Sequence, residues 1–310
     1  MEWKTRITEL LGCRYPIIQA AFGGFGRSVL AVSVSEAGGF GIIEATALGT
    51  PEKLRKDIRK ARSMTDKPFG VNLSLIGHPR IDELRDVAIE ERVAAIFTSA
   101  YKAEEHGKRI KEAGIPWIHK VGTIKHALAT ERHGPDALVV VGIEGEGEKA
   151  ASHLTTLTTI SMATKMLKTP VIAAGGIGDG RTFLAALAMG AEAVYMGTAF
   201  MATKECPIAE RHKQALVNAS PYDTEIRDRV FAPPPPGLDE LTRKQAVYQL
   251  VGDAKPHSTS HPMPVMGGSM AVGAITKIVT VKELIDNIIQ EAEELLTVNG
   301  PLAHILAAKY

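Results

Sequence analysis

The feature that most limits how this chain can fold is an alternation repeated eight times, a short β-branched run followed by a longer segment of helical period. The runs are Tyr15 to Ala21, Phe40 to Thr46, Pro68 to Leu75, Val93 to Ala100, Pro116 to Thr123, Ala137 to Glu144, Pro170 to Gly176 and Ala193 to Met201. Helices are predicted from about Arg27, Pro51, Arg80, Lys102, Ile124, Leu157, Gly180 and Pro207, several ending at glycine as in EAGG, KEAG, ERHG and AMG. Repeated βα units build a parallel sheet. Eight of them, complete by about residue 219, predict an α/β fold of the (β/α)8 TIM-barrel type. An open doubly wound sheet commonly has about five or six parallel strands and would need two units appended.

Residues 220–266 depart from this pattern. They carry the run APPPPG at Ala232 to Gly237 and HSTSHPMP at His257 to Pro264, with LDELTRKQAVYQLVG of helical period between. A small helical, proline-rich lid inserted after the eighth unit is expected, with residues 1–219 and 267–310 forming the barrel. The chain returns through GGSMAVGAI, and apolar residues at 281, 284, 285, 288, 289, 292, 295 and 296 then mark one face of a helix.

Composition excludes several function classes. With 36 Lys+Arg against 35 Asp+Glu the net charge is +1, and no long basic run offers a local field for nucleic acid. No stretch of about 18 apolar residues would span a bilayer, and the N-terminus lacks the apolar core of a signal peptide. A cytoplasmic protein acting on a small molecule is expected, with no membrane partner and with a homodimer as the assembly allowed for. Cys13 and Cys206 could form one bridge at most, and no Cys/His cluster has metal-ligand spacing. Two reduced thiols and no metal are expected.

In a barrel the reactive end is the C-terminal mouth, so the residues that close each strand carry the functional signal. Strand 7 runs into AAGGIGDGR and strand 8 into YMGTAF, two glycine-rich turns feeding helix N-termini. Backbone N–H groups free of side-chain bulk make a phosphate cradle, and the loops after strands 7 and 8 are where barrels place one. Other strand ends carry Gln19, Asn72, His119, Lys120, Glu144, Glu146 and Glu148. Each has a plainer reading: Asn72 satisfying buried backbone, Lys120 snorkelling at the rim, His119 facing the helix layer, the glutamates forming a solvated loop.

The runs PIIQAAFGG, GGFGIIEA, KPFGVNLSL, WIHKVG, GIEGEG, PVIAAGGIGDGRTFLAALAMGAEAVYMGTAFMATKECP and GGSMAVGAI together resemble the nitronate monooxygenase-like flavoproteins, long called 2-nitropropane dioxygenases. That family also holds NADH:quinone reductases and FMN-dependent enoyl-thioester reductases. The resemblance implies a TIM barrel that binds FMN, with its phosphate at Gly176, Gly197 and Thr198. It places Ala21, Phe22, Asn72 and the backbone around Val141, Gly142 and Glu146 on the isoalloxazine and ribityl, with Tyr195 and Met196 completing the cradle. Lys120 matches a lysine near the flavin in many relatives.

One departure from the family pattern bears on the reaction. Where nitronate-oxidising members and enoyl reductases show G-x-E-A-G-G-H, this chain reads Gly142 to Glu148, so Glu148 stands at the histidine position and Glu146 replaces a small residue. His153 lies five residues on and could serve instead only with a different loop. Glu148 and Lys120 are the expected catalytic residues. Hydride transfer between NAD(P)H and a quinone or acyl thioester is the expected chemistry. The alternatives are nitronate oxidation by O2 and a non-redox phosphate-binding lyase or isomerase.

Overall fold

The computed structural model describes residues 1–20, 24–75, 78–100, 103–146, 154–231 and 268–297. Ala21, Phe22, Glu148, His153 and most of the expected lid, residues 232–266, lie outside them.

Eight parallel strands alternate with helices: β1 (Ile17–Gln19), β2 (Gly41–Glu44), β3 (Phe69–Ser74), β4 (Ala95–Ser99), β5 (Trp117–Val121), β6 (Ala137–Val141), β7 (Val171–Ala174) and β8 (Ala193–Met196). Their order is β1-β8-β7-β6-β5-β4-β3-β2, and a parallel bridge between Ile18 and Phe40 brings the two ends together. This is the (β/α)8 barrel that the eightfold alternation predicts. Strand alternation divides the core in two. Ile18, Ile42, Phe97, Ile118, Val139, Ile172 and Tyr195 share the interior cluster, while Ile43, Val71, Ile96 and Trp117 belong to a cluster with the surrounding helices.

At the β1/β2 seam the ladder is irregular. Phe40 N donates to Ile17 O at 2.9 Å and Gln19 N to Phe40 O at 3.0 Å. The next β2 donor, Ile42 N, reaches the side-chain oxygen Gln19 Oε1 at 3.0 Å, and Glu44 N reaches Gly26 O at 2.8 Å. Gln19, fully buried, thus supplies from its side chain a rung that the diverging backbones no longer can.

The helix α1 (Arg6–Leu11) precedes the first strand and was not expected from periodicity. It starts at a reciprocal cap between Thr5 and Thr8, ends at Gly12 with φ 67°, and buries Ile7 and Leu11 in the barrel's interior cluster. Arg6 is paired with Glu192, just ahead of β8. The barrel helices are α2 (Ser28–Glu36), α3 (Pro51–Arg62), α4 (Ile81–Glu90), α5 (Glu104–Glu112), α6 (Ile124–Glu131), α7 (Thr156–Met166) and α8 (Gly180–Ala188).

The eighth unit differs from its sequence reading. Strand β8 ends at Met196, and Thr198–Met201, expected as strand, forms the short helix α9 behind Gly197. An all-apolar run gives no period by which to separate the two states, and the glycine is where the ladder stops. Helices α10 (Glu210–Asn218) and α11 (Thr224–Phe231) follow. Ile226 and Val230 of α11 are buried in the same cluster as Val272 and Ile288. The final described helix, α12 (Val281–Leu295), begins at a Thr280–Glu283 capping box and buries Val281, Ile285, Ile288, Ile289, Ala292 and Leu295. It packs closely on α8, where a Cβ on Gly180 would lie 2.6 Å from Ile288 O.

Among the described residues, no helix is long and apolar enough to cross a membrane. No group of three or more His, Cys, Asp or Glu there could hold a metal ion. Both thiols are free, and burial pushes Cys13 up to about 12 and Cys206 to about 11, so neither presents a thiolate near neutral pH.

Candidate active site at the barrel mouth

Register places the glycine turns side by side. Ala174 pairs with Tyr195 and Val141 with Ala174, so the chain leaves β6, β7 and β8 at one level, towards Gly142, Gly175 and Gly197. Gly175 and Gly176 hold φ of 109° and 71°, the left-handed region that an L side chain resists. A Cβ on Gly176 would stand 3.1 Å from Glu144 Cβ, so the turn is shaped to keep its backbone bare. Opposite it Gly197 caps α9, whose first residue, Thr198, is buried. Thr198 Oγ1 lies 2.9 Å from Ser269 Oγ and accepts from Ser269 N at 3.1 Å. Ser269 in turn caps the 3-10 turn Met270–Ala274 through Ala271 N. Three backbone turns therefore converge, which gives the motif GGSMAVGAI a place in the site. Ser269 itself escaped the sequence reading, although a serine after Gly-Gly and before an apolar turn is an N-cap signal.

The acidic loop has structural duties. Glu144 Oε2 accepts from Thr156 N at 2.5 Å and Thr156 Oγ1 at 2.7 Å, capping α7, while its carbonyl accepts from Met270 N at 3.0 Å. The Glu146 carboxylate accepts from Gly268 N and lies 3.8 Å from Arg229 Nε. Glu144 and Glu146 thus tie the β6 loop to the returning segment 268–274.

Asn72 and Lys120 occupy the same rim on β3 and β5, at positions whose alternation faces the barrel interior. Lys120 is half-buried. Tyr195 also lies in the interior cluster and stacks on Phe97 with centroids 6.0 Å apart. Met196 does not join them: its side chain packs in the outer cluster, and only its carbonyl, accepting from Ala20 N at 2.7 Å, reaches the rim. His119 faces the helix layer. Trp117 Nε1 donates to Thr98 Oγ1 at 2.8 Å, that hydroxyl is hydrogen-bonded to His119 Nδ1 at 2.8 Å, and burial lowers the imidazole to about 4.

The residue most clearly overlooked in the sequence is Glu44, at the end of β2 and only 1% exposed. Its Oε2 accepts from Asn72 Nδ2 and its Oε1 from Thr46 N at 3.2 Å. Burial raises the carboxyl to about 7 against the hydrogen bonds from Asn72 and Thr46 and the charge of Arg27, which pull it down. The period-2 pattern Ile42, Ile43, Glu44 would have pointed it inward. Asn72 is 2% exposed, and its Oδ1 has no hydrogen-bond partner among the described residues. A buried acceptor left unmet costs about 1–3 kcal/mol, so this oxygen marks a place for a donor that the described residues do not supply. Ala100, closing β4, adds a left-handed φ of 65° at the same rim, a strain of the kind that collects at functional sites.

Glu44 also makes stability depend on pH. The unfolded carboxyl releases its proton near the ordinary 4.5 and the folded one near 7, so the folded state holds more protons between these values. The contribution of Glu44 to stability is fully present below 4.5 and is lost as pH rises through about 7, by roughly 3 kcal/mol for a shift of this size. Urea unfolding of wild type and Glu44→Gln at pH 5 and pH 8 checks it. Wild type should lose about that much more than the variant, and parallel losses would remove Glu44 as the cause.

A profile of the nitronate monooxygenase family matches residues 4–235. The chain is 36% identical over 232 residues to a (3aS,4S,5R,7aS)-5-hydroxy-7a-methyl-1-oxo-octahydro-1H-indene-4-carboxyl-CoA dehydrogenase of Rhodococcus jostii, a match covering 74% of this chain and 64% of that one. With a probable nitronate monooxygenase of Staphylococcus aureus it shares 32% identity over 266 residues, 72% of this chain and 75% of the relative. The chain thus spans just under two thirds of the Rhodococcus relative's length. FabK from Thermotoga maritima superposes with a TM-score of 0.82 at 34% identity, over 99% of both chains. The barrel, its paired glycine turns and these matches agree: this chain belongs to the nitronate monooxygenase family.

Proposed function

We propose that the protein is an FMN-dependent oxidoreductase that moves a hydride between NAD(P)H and an organic substrate of the quinone or acyl-thioester type. The observation that carries this reading is the mouth itself: bare glycine turns beside Thr198 and Ser269 at one side, and the unpartnered Asn72 oxygen at the rim. These features fit FMN, whose phosphate would take the turns at Gly176, Gly197 and Thr198 and whose ring would take Asn72 and the backbone of Val141, Gly142 and Glu146. When bound, FMN supplies hydride transfer at its ring N5. The protein's part is to hold the ring against the rim and to place Lys120, whose ammonium favours negative charge developing on a substrate carbonyl. A thioester substrate is further supported by the Rhodococcus relative, named for a carboxyl-CoA.

Nitronate oxidation is the second reading, favoured by the names of the Staphylococcus relatives. Against it stands Glu148 where the family resemblance expects a histidine. A carboxylate is about two units weaker as a base than imidazole and repels an anionic nitronate. Glu148 is the expected proton-transferring group on a neutral substrate, so Glu148→Gln should cost about 10²-fold in kcat on the true substrate. Glu148→His should gain turnover of propionate 3-nitronate. Stopped-flow reduction by NADH and NADPH, beside nitronate turnover, decides between the readings. Wild type that oxidises nitronate while ignoring both nicotinamides would overturn the first, and a colourless protein that cannot be reconstituted with flavin would leave a non-redox phosphate-binding barrel.

A further inference from the structure

Glu44 touches no residue of the phosphate cradle, yet it is buried at the mouth with both carboxylate oxygens engaged. Its effect falls on Asn72. A primary amide has one donor end and one acceptor end, and nothing in its shape says which way round it sits. An ionised carboxylate only accepts, so beside Glu44 the Asn72 amide turns its NH2 inward, and Oδ1 becomes the end left without a partner. We propose that Glu44 is a positioning residue that fixes the polarity of Asn72, making its oxygen an acceptor that selects a ring ligand by an N–H donor. This rests on the flavin reading, which it deepens: the flavin offers such a donor at the imide N–H of its pyrimidine edge.

Two neighbours besides Asn72 hold Glu44 in that role. Thr46 N occupies Oε1 and so restricts rotation of the carboxylate. Thr46 is itself fixed through its hydroxyl, which accepts from Ser74 N at 2.9 Å. Arg27, the charged group acting on Glu44, donates to the carbonyls of Gly26, Glu44 and Ala47, all at 3.3 to 3.4 Å, and favours the ionised form. The arrangement is asymmetric in a way that Glu44→Gln would reverse. The introduced amide would keep its oxygen on Thr46 N and point an NH2 at Asn72, so the Asn72 oxygen would turn to meet it and an NH2 would face the ligand.

The test is titration of the apoprotein at pH 8 with FMN and with N3-methyl-FMN, which lacks only the imide hydrogen, following quenching of flavin fluorescence. Wild type should bind FMN at least about 10-fold more tightly than the methylated analogue, the size of one hydrogen bond to a buried acceptor. Glu44→Gln should lose most of that preference. The double variant Glu44→Gln with Asn72→Asp should regain it, because the new amide can donate to one oxygen of the new carboxylate and leave the other as acceptor. Recovery by an exchange of partners is not expected from a residue that merely supports the fold. Full wild-type preference in Glu44→Gln, or no recovery in the folded double variant, overturns the assignment. Equal binding of both flavins by wild type overturns this proposal alone, whereas binding of neither overturns it together with the flavin reading.

Discussion

On the proposed FMN site, Gly197→Asp should bind FMN about 10³-fold more weakly, because a carboxylate set where the phosphate is proposed to lie adds like-charge repulsion of several kcal/mol. Gly197 caps α9 beside the buried Thr198–Ser269 contact, so a side chain introduced there projects at the end of β8 next to the glycine turn of β7. Heat release of the bound flavin, identified by mass spectrometry and measured against protein concentration, reads the result directly. Full occupancy in the variant would place the phosphate elsewhere.

An equally large effect, on stability, is expected at a position remote from the mouth's chemistry. Gly41 lies in β2 with its missing side chain directed at α2, and a Cβ there would fall 1.9 Å from Ala31 O and 2.6 Å from Ala31 Cα. Backbone cannot step aside as a side-chain tip can. Gly41→Ala should therefore force α2 away from the sheet and cost roughly 4 kcal/mol, at the upper end of single-substitution effects. Urea denaturation gives the number. A loss below about 1 kcal/mol would show that α2 rides more loosely on β2 than this contact implies.

The barrel was legible because its signal is repeated: a β-branched run such as Ala137–Val141 between turn residues is ambiguous alone, but eight in alternation with helices leave little choice. The glycine turns were legible too, since AAGGIGDGR falls after the seventh run. What escaped notice was set by tertiary context. Helix α1 is only six residues long, and its two buried apolar residues, Ile7 and Leu11, give too little periodicity to announce a helix. Helix α9 hides in an apolar run. Glu44 reads in sequence as one more carboxylate, because the desolvation that raises it and the amide that engages it come from folding β2 against β3.

The seam between β1 and β2 gives the barrel a preferred line of breathing. Seven strand pairs are laced by backbone ladders, but towards the mouth this eighth contact depends on the Gln19 side chain and on the Gly26 carbonyl. Parting β1 from β2 at the rim breaks those two bonds and leaves every other ladder closed, so it is a local opening of low free energy and not unfolding. The Ile42 and Glu44 amides should accordingly be the first of the sheet to exchange their hydrogens with solvent. Because Glu44 itself stands on that margin, an opening there would fall beside Asn72, while β6, β7 and β8, which carry the glycine turns, stay laced to one another.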